Sequence, residues 1–187
     1  MGEQTPGSAD ALQLHLVVLR CQAGDEQAFA QLFERFGGRT LAYLGGLVGG
    51  DAADIQQEVW LAVYRGLRGL SNPRAFRTWL FQTTRHRAID FLRKRKRELE
   101  LIAGAAAESA AAQGAWDEPD ETAEAPILPE IMAMLAPAHR EVLLLRFQDG
   151  MSYAEIALVV GCSIGTVRSR LHHAKRRAQE LATPRRG

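Results

Sequence analysis

Apolar residues along this chain recur at three- and four-residue spacings and do not alternate singly with polar ones over a strand length, so the pattern predicts helices throughout. The clearest stretch lies in the last third. Ser152 and Glu155 stand at capping-box spacing, where each can satisfy a free backbone N–H at a helix start. Tyr153, Ile156, Ala157 and Val160 then fall at i, i+3, i+4 and i+7, one apolar stripe. Gly161 is placed to end that helix in the left-handed conformation, and Ser163 to cap the next. Ile164, Val167, Leu171, Ala174, Ala178 and Leu181 form the predicted buried line of this second helix. Turned away from it are Arg168, Ser169, His172, His173, Lys175 and Arg176.

The first half carries four more predicted helices. Leu12 to Cys21 is helical and stops at Ala23–Gly24; Asp25 caps a second helix, whose Phe29, Leu32, Phe33 and Phe36 have helical spacing. Gly45, Gly46, Gly49 and Gly50 mark a break, and Asp51 is placed to cap a third helix to about Leu67. There Ile55, Val59 and Val63 point inward, while Asp54, Gln57, Glu58 and Tyr64 form a polar face. Asn72–Pro73 reads as an N-cap followed by proline at the first helical position. The helix it opens is predicted to run to about Arg97, with Leu80, Phe81, Thr84, Ala88, Phe91 and Leu92 in the core. Its opposite face presents Trp79, Gln82, His86 and Arg93, and it ends in Arg93-Lys94-Arg95-Lys96-Arg97.

Charge divides the chain where the apolar pattern fades. Formal net charge is only +1, yet residues 1–97 hold 14 basic and 9 acidic side chains. Residues 98–130 hold 9 acidic and no basic ones, and residues 131–187 hold 9 basic and 4 acidic. From Glu98 to Pro126 the chain is rich in Ala, Glu, Asp, Gly and Pro, and is expected to be a flexible linker because it has little to bury. Trp116 interrupts it, either as a chance anchor or as a docking point for a partner. The expected organisation is all-α: a disordered terminus at 1–9, a helical domain at 10–97, the acidic linker at 98–126, a helix-turn-helix domain at 127–183 and a tail at 184–187.

These features limit the chemistry. Two helices across a tight turn, with no acid from Thr166 to Arg177, suit a recognition helix in a DNA major groove. An aromatic beside hydrogen-bonding groups and a cationic run on the long helix suits single-stranded nucleic acid, through stacking and phosphate contact. Trp79 packed against the loop before its helix, with the cations as a solvated terminus, explains the same residues. Cys21 and Cys162 are far apart and neither has metal-ligand spacing, so no metal and no cofactor are expected. No Gly-rich phosphate loop, His-Glu-x-x-His or Gly-x-Ser-x-Gly is present, so the chain is not expected to be an enzyme. No apolar run approaches the roughly 20 residues a membrane span needs. Met1 to Asp10 lacks the order of a signal peptide, which makes the cytoplasm the expected location.

Taken together, the two halves resemble an extracytoplasmic-function (ECF) sigma factor, the compact class of the bacterial sigma-70 family. The resemblance is carried by Asp51-Ala-Ala-Asp-Ile-Gln-Gln-Glu-Val-Trp60, by Phe76 through Arg93, by Leu135-Ala-Pro-Ala-His-Arg-Glu-Val-Leu-Leu-Leu-Arg-Phe147 and by the helix-turn-helix, in that order. It implies a factor that binds core RNA polymerase, at the β′ clamp and the β flap, and directs promoter recognition, melting and initiation. Asp54, Gln57 and Glu58 would then touch the clamp. Ser71, Asn72, Trp79, Gln82 and His86, with Arg93, Lys94, Arg95, Lys96 and Arg97, would bind the −10 element. Thr166, Arg168, Ser169, Arg170, His172, His173, Lys175 and Arg176 would bind the −35 element. An anti-sigma factor is an implied partner, and no membrane insertion is implied. His86 stands where the family often carries Asn, and His172-His173 where it commonly shows Arg. A free-standing helix-turn-helix regulator is the rival reading, distinguished by binding its duplex without polymerase.

Overall fold

The computed structural model describes residues 6–106 and 128–182. Among them there are eight α-helices and no strand: α1 (Pro6–Gln22), α2 (Glu26–Val48), α3 (Ala52–Gly66), α4 (Phe76–Ala106), α5 (Leu128–Met134), α6 (Pro137–Leu143), α7 (Tyr153–Val160) and α8 (Ile164–Ala182). A five-residue π-turn, Leu144–Gln148, continues α6. α1 begins at Pro6, inside the segment expected to be disordered. Trp116 and most of the acidic linker lie outside the described residues.

Helix boundaries follow local chemistry. The Asp25 side chain accepts from Ala28 N at 3.0 Å and starts α2. That hydrogen bond, with the Arg20 guanidinium 2.6 Å away, holds the Asp25 carboxyl below its ordinary range. The glycines of α2 do not break it where expected: the helix runs through Gly45 and Gly46 and stops at Gly49. Buried Leu44 and Val48 tether that turn to the core, outweighing about 1 kcal/mol per glycine of lost helix propensity. Asp51 is not a side-chain cap for α3; its carboxylate instead meets Arg95 at 2.8 Å. Asn72 does cap, accepting from Arg74 N at 3.1 Å.

The long helix is longer than predicted. α4 passes Arg97 and reaches Ala106, so the first residues of the expected linker are helical. Good helix formers fill this stretch, and Lys94–Glu98 and Lys96–Glu100 pair at i, i+4 along it. Leu92, predicted to be core, is exposed: the packed line of α4 runs through Ala88 and Phe91 instead.

One core joins Val18, Leu32, Phe36, Ile55, Val59, Trp60, Val63, Phe76 and Leu80 under α1–α4. The second lies under α6–α8 around Val142, Leu145, Met151, Ile156, Val167 and Leu171. Tyr43 of α2 and Phe81 of α4 belong to this second core, with rings 5.4 Å apart. The two halves are therefore docked through apolar as well as polar groups.

Candidate nucleic-acid interface

The helix-turn-helix forms as its sequence dictates. Ser152 Oγ accepts from Glu155 N at 3.2 Å, and Glu155 Oε2 accepts from Ser152 N at 2.7 Å, a complete capping box. Gly161 ends α7 at φ 73°, ψ 43°, a conformation a Cβ would strain. Ser163 Oγ accepts from Thr166 N at 3.1 Å and starts α8. Val167, Leu171 and Ala174 are buried beneath α8, and Ala178 and Leu181 are partly buried. Ile164, expected in that line, is exposed: it occupies the first turn, off the surface that α7 covers.

The opposite face of α8 is exposed at Arg168, Ser169, His172, His173, Lys175 and Arg176. Thr166 and Arg170 sit half-buried on its flanks. Lys175 Nζ lies 4.9 Å from the ring centre of Phe147, which fixes the direction of its stem. His173 stacks on His139 of α6 at 6.3 Å, so it leans back towards the domain. Arg176 and Arg177 meet Glu180 at 3.5 and 3.2 Å. These pairs are exposed, and exposed pairs are weak enough for a phosphate to replace them.

The α4 site is arranged differently. Trp79 is half-buried: a Cβ on Gly66 would stand 3.0 Å from its indole, and the Phe76 ring is 6.2 Å away. Its indole packs against the end of α3, one of the two roles the sequence allowed it. Gln82 donates to Leu158 O of α7 at 2.9 Å, so its amide is already engaged by the other half of the molecule. His86, Ser71 and Asn72 are exposed. Along the cationic run, Arg93 meets Asp90 at 3.8 Å, Lys94 meets Glu98 at 3.9 Å, Arg95 meets Asp51 at 2.8 Å and Lys96 meets Glu100 at 3.7 Å. Arg97 Nε donates to Arg93 O at 3.3 Å.

A third surface lies on α3, where Asp54, Gln57 and Glu58 are exposed in one row and Ile55, Val59 and Trp60 are buried behind them. Beside the row, Tyr64 and Phe33 are exposed aromatics, each in edge-to-face contact with a neighbour: Tyr64 with Phe29 at 5.1 Å, Phe33 with Trp60 at 5.0 Å.

Sequence reasoning missed the residues that join the halves. Tyr43 Oη donates to Glu141 Oε1 at 2.8 Å, and Arg85 Nε donates to the same oxygen at 2.7 Å. Arg140 Nη1 donates to Gly46 O at 3.0 Å, Arg77 donates to Asp149 O, and Arg39 lies 3.8 Å from the Asp149 carboxylate. The one available signal was an acid at the head of an apolar run, Glu141 before Val-Leu-Leu-Leu. Among the described residues no group of three or more His, Cys, Asp or Glu could hold a metal. Burial pushes the Cys21 thiol up to about 11, with Asp25 adding to it, which leaves it unreactive.

A preformed helix-turn-helix with a cationic outer face, on a chain whose other half exposes an acidic row and a basic helix end, defines a helical DNA-binding transcription factor. Residues 32–98 match sigma-70 region 2, and residues 127–177 match sigma-70 region 4. The ECF RNA polymerase sigma-E factor of Escherichia coli (strain K12) is 29% identical over 186 residues, covering 94% of this chain and 97% of that protein. A probable RNA polymerase sigma factor, RfaY, of Xanthomonas campestris pv. campestris is 32% identical over 177 residues, 89% of this chain and 44% of that protein. CnrH, solved with the cytosolic domain of CnrY, superposes with a TM-score of 0.62 at 25% identity, covering 90% of this chain and 96% of that one. The sigma factor RpoE of Bartonella quintana, solved with the anti-sigma factor NepR, gives 0.62 at 25% identity over 82% of this chain and 95% of that one. The chain belongs to the sigma-70 family, in its ECF class, and is an RNA polymerase sigma factor that directs transcription initiation. No helix among the described residues is long and apolar enough to cross a membrane.

Proposed function

We propose that the two matched regions divide the work of promoter recognition between them. Residues 10–97 bind core polymerase and the −10 element, residues 127–183 bind the −35 element, and residues 98–126 connect them. On α3, Asp54, Gln57 and Glu58 meet the polymerase clamp. On α8, Arg168 and Ser169 approach base edges near the start of the helix, and His172, Lys175 and Arg176 follow the backbone. On α4, Trp79, Gln82 and His86, with Ser71 and Asn72, receive an unstacked base of the −10 element, and Arg93 to Arg97 hold the phosphates. Unstacking costs a few kcal/mol, which aromatic and hydrogen-bonding contacts must offset. The protein catalyses nothing itself and works in the cytoplasm, where polymerase and promoter are. The complex of the Bartonella quintana sigma factor with an anti-sigma factor supports a similar partner for this chain.

The observation that carries this reading is the exposed Asp54–Gln57–Glu58 row, acidic and polar on a helix whose other side is sealed into the core. Such a row suits a basic protein partner rather than DNA. Pull-down of purified core polymerase tests it, comparing wild type with Asp54→Arg/Glu58→Arg. Binding lost in the double variant, with its helical circular dichroism unchanged, supports the clamp contact. Full binding by the double variant places the contact elsewhere.

A further inference from the structure

The seam between the two regions is built around two acids of region 4 that the promoter-reading role does not use. Glu141 is 6% exposed and Asp149 is 2% exposed, and both sit against region 2. Glu141 is satisfied by one oxygen that accepts from both Tyr43 and Arg85. Burial, with the Glu141 charge beside it, pushes the Tyr43 phenol well above its ordinary range, so Tyr43 remains a donor at any working pH.

Asp149 is the opposite case. Its backbone carbonyl accepts from Arg77, but neither carboxyl oxygen has a hydrogen-bond partner, and the nearest cation, Arg39, is at 3.8 Å. Facing it are Arg39 and Tyr43 from α2 and Arg77 from α4. Arg146, on its own turn, donates instead to Met151 O at 2.8 Å. A buried carboxylate without hydrogen bonds is costly when charged and much less so when protonated. Burial accordingly raises its pKa to about 6, against the pull of Arg39 and then Arg77.

We propose that these two acids latch the free chain shut: Glu141, pinned by Tyr43 and Arg85, holds the helix-turn-helix on α4, and Asp149, sealed beneath Arg39 and Arg77, makes that closure tighten in mild acid. The closed form cannot read a promoter. The −10 and −35 elements are about 25 base pairs apart by their numbering, roughly 85 Å at 3.4 Å per step. Here α7 rests directly on α4, with Leu158 O bonded to Gln82. That consequence rests on the promoter-reading role; the latch itself does not.

The direction of the pH effect follows from the raised value. The contribution of Asp149 to docking is full below 3.8, the ordinary value it takes in the open state, and is lost as pH rises through about 6. Between pH 8 and pH 5 the closed-to-open ratio is expected to rise about tenfold.

Distance measurement on the full chain alone tests this, with no polymerase or DNA. Dyes on Gln27→Cys and Ala154→Cys, in a Cys21→Ala/Cys162→Ser background, report the separation of the regions by single-molecule energy transfer. Wild type is expected to show a compact population that grows from pH 8 to pH 5. Glu141→Ala is expected to lower the closed-to-open ratio about tenfold or more. Asp149→Asn is expected to stay compact and lose the pH response. Because Glu141→Ala can fail to fold, Gly46→Gln provides a second route. A Cβ on Gly46 meets the tip of the Leu144 side chain across the seam, so a side chain as long as glutamine must push Leu144 out of it, while glutamine favours the α2 helix that carries it. An extended wild type at pH 5, or a wild-type distance in folded Glu141→Ala and Gly46→Gln alike, overturns the latch. A pH response that survives Asp149→Asn removes Asp149 from it.

Discussion

The two helices proposed to read DNA differ in how ready they are. On α8 the outward face is exposed along its length and rests on a core of its own helix-turn-helix. On α4 the corresponding face is partly spent: Trp79 packs beneath α3, Gln82 is bonded to Leu158 O, and the cationic end is threaded with acids. The contrast suits the tasks proposed for them. A duplex reader needs a rigid helix presented to an existing groove. A surface that receives unstacked bases has no partner until melting begins, so little is lost by occupying it in the meantime.

The largest expected effect separates the readers by stability. Leu171 is 3% exposed beneath α8, and Leu171→Ala should cost about 2–5 kcal/mol of unfolding free energy for region 4 in chemical denaturation. A loss that unfolds α1–α4 equally would show that the two cores melt as one and weaken the distinction. Next, Arg168→Ala should lower affinity for the preferred −35 duplex by about 1–3 kcal/mol while leaving other sequences nearly unchanged, in fluorescence anisotropy. An equal loss on every duplex makes Arg168 a phosphate contact. Ser152→Ala removes one half of the capping box and should cost about 1 kcal/mol of region 4 stability by thermal melting. The smallest effect belongs to the α4 end. Arg95→Ala breaks an exposed pair with Asp51 and should barely change stability. It should reduce the salt slope of promoter binding by about one, and an unchanged slope would show that Arg95 touches no phosphate.

The helix-turn-helix was legible because everything it needs is local. Its capping box, its left-handed Gly161 and the Val167–Leu171–Ala174 line involve neighbours within a turn or two. Errors arose where a boundary depended on something distant. Asp51 left its capping position for Arg95, 44 residues away in sequence. Gly45 and Gly46 stayed helical because buried Leu44 and Val48 hold their turn in place. Leu92 had the right spacing for a core, but its neighbour Phe91 took the place against it.

The sequence by itself determined the helical class, the division into two charged halves around an acidic stretch, and the exposed faces of α3 and α8. Periodicity and capping act between residues a few positions apart, so they can be read along a line. Only the tertiary structure decided that the halves close on each other, that Phe81 and Tyr43 join the second core, and that Glu141 and Asp149 are buried at the seam. The fate of a buried charge depends on donors that fold up against it: Tyr43 is 98 positions from Glu141, and Arg77 is 72 from Asp149. No spacing rule reaches that far.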